Sequence, residues 1–290
     1  MRLFFLMALF LLPFALQAEE VHVAKAGTLG ALLNYNTQEI TGLTISGYLN
    51  GDDIKVIRDM PELSVLDISG ASIVKGGSGP YYTEDNKITT LMFYSLGLTS
   101  IRLPNNITFI GAHAFSYCRG LTSIAIPKNV TVIDEYAFYN CSGLKDIVFP
   151  KNLDSIGEAA FYGCAGLTEL TFPKKLKTIG NFAFQMCTGL IDIEIPNGVT
   201  TIGRQTFANC TGLVRVVFPK SLTHINSAAF YACANLTDMY SNNPVPPKVA
   251  QDSFYLVDRA VCRLFVARKQ GAAYRNANGW KEFENITEYP

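Results

Sequence analysis

The apolar positions of the chain return at a fixed interval. Phe115, Phe138, Phe161, Phe184, Phe207 and Phe230 are each 23 residues apart, and the same step relates Ile110 to Ile225, Leu121 to Leu236 and Pro104 to Pro219. Six units follow one another without an insertion, each reading P-x-x-φ-x-x-I-G-x-x-A-F-x-x-C-x-x-L-x-x-φ-x-φ, where φ is apolar. Near the end of a unit the pattern alternates: Leu170 and Phe172 are apolar, Glu169 and Thr171 polar. That is the period of a half-buried strand. Proline then closes it, because its ring fixes φ and it has no N–H for a ladder. A second extended piece is expected at Val130 to Ile133 and its equivalents. The position after the isoleucine is Gly111, Asp134, Gly157, Gly180, Gly203 and Asn226. These residue types tolerate left-handed backbone, so the column predicts a turn with positive φ.

A unit this short cannot bury its apolar face alone, so the units must stack into a solenoid. With rungs about 4.8 Å apart, each sequence column becomes a ladder, Phe on Phe and Leu on Leu. The pattern fades at both ends. In LMFYSLGLTSIRLP (91–104) Met92 takes the place of Phe and Ser95 that of Cys, and LSVLDISGASI (63–73) keeps only the leucine spacing. Upstream a helix is expected from Gly51 to about Met60, with Asp52 or Asp53 as its cap. The expected organisation is a signal peptide over 1–18, an amino-terminal cap over 19–90, the solenoid over 91–240 and a carboxy-terminal cap over 241–290, which holds Trp280.

Composition narrows the function classes. The chain is 49% hydrophobic and 17% charged, as a well-cored protein is. Its 24 basic and 24 acidic residues cancel, which removes the field that draws nucleic acid to a protein. The opening MRLFFLMALFLLPFALQA has Arg2, an apolar run and a small residue before Glu19. It reads as a secretory signal, so the mature chain is expected to start at Glu19 and to be exported, without a transmembrane anchor of its own.

Cys118, Cys141, Cys164, Cys187, Cys210 and Cys233 also recur at the 23-residue step. Zinc needs four converging ligands, whereas a ladder offers thiols in a line, and His22, His113 and His224 stand at unrelated positions. A disulfide needs Cβ vectors turned towards each other, and equivalent rungs point the same way. Ser95 in the same column argues for a small side chain there. Reduced, buried thiols are therefore expected, with Cys262 to Cys233 the one pairing left open. Nucleophilic catalysis needs a base beside Ser or Cys, and none is placed there. GGSGPYY (76–82) lacks the Lys-Ser/Thr ending of a phosphate loop and reads as a flexible loop. No cofactor and no enzymatic activity are expected.

Two columns of strand side chains face outward: Ser123, Asp146, Glu169, Asp192, Arg215, Asp238, and Ala125, Val148, Thr171, Glu194, Val217, Tyr240. From them Asp146, Glu169, Thr171, Asp192, Glu194 and Arg215 are the candidate binding residues. Their carboxylates, one rung apart, repel one another and invite a cation or a basic partner. Lys128, Lys151, Lys174 and Lys220 follow the prolines, and Tyr139, Tyr162 and Tyr231 flank the phenylalanines. Each stripe is also what repeat duplication leaves on a solvated face.

The repeat frame resembles the BspA-like (type 5) leucine-rich repeat family of Bacteroides-type bacteria. LTISGYLNGDDIKVIRDMPELSVLDISGASI is similar to the cap that precedes such repeats, and CRLFVARKQGAAYRNANGWKEFENI to their carboxy-terminal segment, with Val266-Ala267 where Val-Pro is common. The resemblance implies a leucine-rich repeat solenoid, an α/β cap followed by a right-handed β-rich coil. It also implies a cell-surface, periplasmic or secreted location and a non-enzymatic binding or adhesion role. Partners would be proteins or glycans, such as host extracellular matrix or another cell surface. A structural spacer of the envelope without a specific ligand is the alternative.

Overall fold

In the computed structural model, which describes residues 18–289, twelve short parallel strands follow one another along one side of a solenoid. Ala18–Val23, Gly42–Leu49, Val65–Ile73 and Ser100–Arg102 pair in chain order. Ser123–Ala125 then pairs with Asp146–Val148, and six strands from Glu169–Leu170 to Asn285–Tyr289 complete the series. The expected signal peptide lies outside the described residues except for Ala18, which opens the first strand.

A second parallel ladder carries the isoleucines. Ile110 pairs with Ile133, Ile133 with Ile156 and Ile156 with Ile179, so the period of the sequence is the register of the sheet. Between the ladders the phenylalanine rings form a continuous stack from Phe93 to Phe254, with centroids 5.0 to 5.6 Å apart. Trp280 closes that stack against Phe254 at 5.6 Å, and its indole N–H donates to the Pro247 carbonyl. At the other end the helix Gly51–Arg58 is capped by Asn50, whose side chain accepts from the N–H groups of Asp52 and Asp53. Asp53 is not the cap. Its buried carboxylate returns the bond to the Asn50 N–H and also accepts from Gly27 and Leu29, tying three segments of the amino-terminal cap together.

The phenylalanine side of each unit is held by a different backbone pattern. The N–H groups of Tyr136, Phe138 and Asn140 donate to Glu158, Ala160 and Tyr162 of the next rung. This requires left-handed backbone at two positions per unit, His113 and Tyr117, Tyr136 and Asn140, Ala159 and Gly163, Phe182 and Met186. The column from Gly111 to Asn226 does not have positive φ, contrary to the sequence expectation. At Gly157 and Gly180 crowding, not φ, excludes a side chain. A Cβ on Gly180 would stand 2.5 Å from the Gly157 carbonyl carbon and 2.6 Å from the Glu158 nitrogen, both backbone of the preceding rung. Gly180→Ala should therefore cost about 1–3 kcal/mol, as overpacking does, read as a lower urea midpoint.

The unit at 91–104 is aligned differently from the simple 23-residue frame. Ile88 pairs with Ile110 and Phe93 stacks on Phe115, a step of 22. Phe93, not Met92, therefore occupies the ring column, and the partly buried Leu96 falls in the cysteine column. Ser95 is exposed at a left-handed position and says nothing about the cysteines.

All seven cysteines are buried thiols. Each of the six in the column donates its S–H to the phenylalanine carbonyl of the preceding unit, Cys141 to Phe115 at 3.0 Å and Cys164 to Phe138 at 3.1 Å. The site thus selects a small apolar side chain with a weak donor, which cysteine supplies. A thiol reagent at neutral pH should label none of the seven in the folded chain and all seven in denaturant. Fewer than seven would reveal a bridge, with Cys233–Cys262 the pair to examine.

Candidate functional site

Strand alternation turns every second side chain of the long ladder outward, and the pairing decides who meets whom. Glu169 lies opposite Asp192, Asp192 opposite Arg215, Arg215 opposite Asp238, and Asp238 opposite Arg263. Arg215 Nη1 donates to both Asp192 oxygens, at 3.0 and 2.7 Å, and Arg263 bonds Asp238 at 2.8 Å. In the parallel column Tyr240 stacks on Phe265 with centroids 4.6 Å apart, and the Arg215 guanidinium sits 4.9 Å from the Tyr240 ring centre. Arg215 is thereby held on two sides. Asp192→Ala should still change stability by less than about 1 kcal/mol, because the pair is solvated.

The acidic column of the sequence is therefore divided. Asp192 and Asp238 are neutralised by arginines, whereas Asp146, Glu169 and Glu194 form no ion pair among the described residues. Strand pairing is interrupted between Asp146–Val148 and Glu169–Leu170. Beyond that interruption a groove of roughly 780 Å³ spans three rungs and ends at Asn242. Glu169, Thr171, Asp192, Glu194 and Arg215 all line it, and Asp146 does not. Ile191 gives it an exposed apolar wall, Leu170, Phe172, Ile195 and Phe218 lie beneath it as a nearly buried apolar floor, and Lys174 also lines it. Of the post-proline lysines only Lys174 reaches the groove; Lys128, Lys151 and Lys220 lie elsewhere on that edge.

Two lining residues carry no clear signal in the strand pattern. Asn197 stands where the neighbouring units have lysine, an interruption visible in the column, and its side-chain oxygen accepts the Lys220 N–H at 3.3 Å. Asn242 comes from the irregular segment after the last repeat and accepts the Tyr289 hydroxyl, which no period could reveal. The tyrosines grouped by sequence do not join this face. Tyr139 and Tyr162 stack on each other at 4.8 Å on the phenylalanine side, and Tyr231 stacks on Tyr255. No group of three His, Cys, Asp or Glu residues has metal-binding geometry among the described residues. The groove combines two carboxylates without ion pairs among the described residues, Glu169 and Glu194, with apolar side chains and the amides of Asn197 and Asn242.

Residues 86–190 and 131–256 match a family profile described as the BspA type leucine rich repeat region, in six copies. Among solved structures the chain is similar to a leucine-rich repeat protein of T. pallidum, with 29% identity over 59% of this chain and 77% of that one, at a TM-score of 0.52. It is also similar in fold to the pneumococcal vaccine antigen PcpA, with 15% identity over 87% of this chain and 63% of that one, at a TM-score of 0.53. No curated protein matches the chain significantly. None of the described helices is long and apolar enough to cross a membrane.

Proposed function

Because the chain belongs to the BspA-type leucine-rich repeat family, we propose that it is an exported, non-enzymatic binding module whose strand-face groove takes a protein or glycan partner. The observation that carries the reading is the state of Glu169 and Glu194. Both are exposed, stand at positions the core does not dictate, and lack ion pairs beside the apolar wall of a groove three rungs long. An extended segment with amino or guanidinium groups could satisfy both carboxylates at once. The wall would cover its apolar atoms, and Thr171, Asn197 and Asn242 would hydrogen-bond at the margins. Host matrix proteins and the surfaces of other cells are the partners to screen first.

Export is supported by the first 18 residues as a sequence. Terminal sequencing of protein recovered outside the cytoplasm should begin at Glu19, and a chain still starting at Met1 would remove that part of the reading. For the groove, the test is a matrix-protein and glycan array probed with the wild-type chain and with Glu169→Ala/Glu194→Ala. The double variant should fold with an unchanged midpoint and bind its partner at least tenfold more weakly, as loss of charged hydrogen bonds requires. Saturable binding that ignores both carboxylates would move the site elsewhere. An array without any saturable partner would favour the spacer.

A further inference from the structure

The segment Gly76–Tyr82, which the sequence presents as a flexible loop, is fastened in place. The Ser78 N–H and hydroxyl both donate to Asp52 Oδ1, at 3.1 and 2.8 Å, and the Gly51 N–H donates to the Gly76 carbonyl. Gly77 lies so close that a Cβ would come within 2.4 Å of Gly51 Cα. Fixed this way, Pro80 and Tyr81 form one wall of a cleft of about 470 Å³, and Leu91, Tyr94 and His113 of the first rungs form the other. Arg58, from the capped helix, completes the lining. The volume lies within the usual range of small-ligand sites.

The hydrogen-bonding state of these residues points to a ligand class. Arg58 is positioned by Nη1 alone, which donates to the carbonyls of Leu91, Met92 and Tyr94, with its guanidinium carbon 5.1 Å from the centre of the Tyr81 ring. Its Nε is buried with no hydrogen-bond partner, and Nη2 makes no bond among the described residues. His113 Nδ1 is 3.1 Å from the Ser116 hydroxyl, which itself donates to the Tyr136 carbonyl. Ser116 must therefore accept from Nδ1–H, which leaves Nε2 of the neutral ring as an acceptor. The hydroxyls of Tyr81 and Tyr94 have no partner among the described residues either. The column holding Tyr94 has Gln185 and Ala208 in other units, so the fold does not require a tyrosine there.

We propose that this cleft binds an acidic pyranose, a sugar ring carrying a carboxylate. The guanidinium is pre-aligned by three carbonyls and offers Nη2 to the carboxylate. The electron-rich face of Tyr94 meets a C–H edge of the sugar, while the Tyr81 ring carries the Arg58 guanidinium on one face and sets its position. The two phenols and His113 Nε2 serve its hydroxyls. A neutral sugar lacks the charged contact, and an aromatic or aliphatic carboxylate leaves the phenols and the imidazole unsatisfied. The site lies at the amino-terminal end, away from the strand-face groove, and stands or falls independently of it.

Titration of the full mature chain with methyl glucuronide, methyl glucoside and N-acetylphenylalanine, followed by ligand-observed NMR or calorimetry, tests the assignment. The glucuronide should bind at least tenfold more tightly than either of the others. Tyr94→Ser, which places in this column the residue found as Ser116, should reduce glucuronide binding at least tenfold with an unchanged unfolding midpoint. Glu169→Ala should leave it unchanged. Equal binding of the glucoside, tighter binding of the N-acetyl amino acid, or no glucuronide binding at millimolar concentration would overturn the proposal.

Discussion

Raising the pH from about 8 to about 11 should unfold the solenoid in one steep transition, because its thiols must stay protonated to stay buried. Burial pushes Cys118 from an ordinary 9.0 up to about 11, and Cys233 and Cys262 up to about 12. Burial also holds Cys141, Cys164, Cys187 and Cys210 well above 9.0, with neighbouring thiols adding to the shift. A group whose folded pKa is raised contributes stability below its unfolded pKa and loses it as pH rises towards the folded one. Above about 9 the unfolded chain therefore binds fewer protons than the native chain, and stability falls with pH. Each thiol supplies about 1.4 kcal/mol per pH unit, so seven acting together approach 10 kcal/mol per unit, comparable to the whole stability of an ordinary domain. Circular dichroism and thiolate absorbance followed together should change at the same pH. Thiolates appearing gradually in a chain that keeps its dichroism would contradict this account.

Phe161→Ala should cost about 3–5 kcal/mol, the largest effect we expect from a single side chain. The Phe161 ring is sandwiched between Phe138 at 5.1 Å and Phe184 at 5.2 Å, both within 4° of parallel, and Phe149 meets it edge-on at 5.7 Å. Removing it opens a void that neither neighbour can fill, since each is held in place by its own backbone bond to the following rung, Phe138 N–H to the Ala160 carbonyl at 2.7 Å and Phe184 N–H to the Thr206 carbonyl at 2.9 Å. In a solenoid the loss is felt by nearest neighbours first. Amide exchange should accelerate around residues 138–184 before the ends, and the urea midpoint should fall. Phe161→Leu should cost less than half as much. A loss below about 1 kcal/mol for Phe161→Ala would mean that the stack adds little to the core. Glu169→Ala, on the exposed face, supplies the baseline near zero.

Much of the fold is legible because repetition converts sequence period into spatial register. Phe138 has to lie over Phe161 once the units are known to stack, and Ile133 over Ile156. The sequence misleads where a unit departs from the frame or where two rungs determine a residue jointly. Leu96 and Leu98 are separated by Gly97 alone, where the following unit has both Arg119 and Gly120 between Cys118 and Leu121, so the first unit slips by one residue. The glycine column suggests a demand of the local backbone, but at Gly157 and Gly180 the cause is the neighbouring rung's main chain and at Gly203 the Asn181 side chain. Asn50 is hidden as a cap because Asp52 and Asp53 beside it are of the same capping class. In the groove, Glu169, Thr171, Asp192, Glu194 and Arg215 follow from strand alternation. Their division into neutralised and unpaired carboxylates does not, because Arg215 could have met Asp192 or Asp238 across either neighbouring strand.

The amino-acid sequence by itself determined the repeat, the solenoid, the buried columns and the outward strand positions except Val217, which is buried, because each follows from the apolar pattern of one unit copied along an axis. Only the tertiary structure decided which arginine neutralises which aspartate, where strand pairing breaks, where the backbone turns left-handed, and that GGSGPYY forms the wall of a cleft. Those outcomes depend on distances between rungs and between the cap and the first repeat, and no pattern within a single unit encodes such distances.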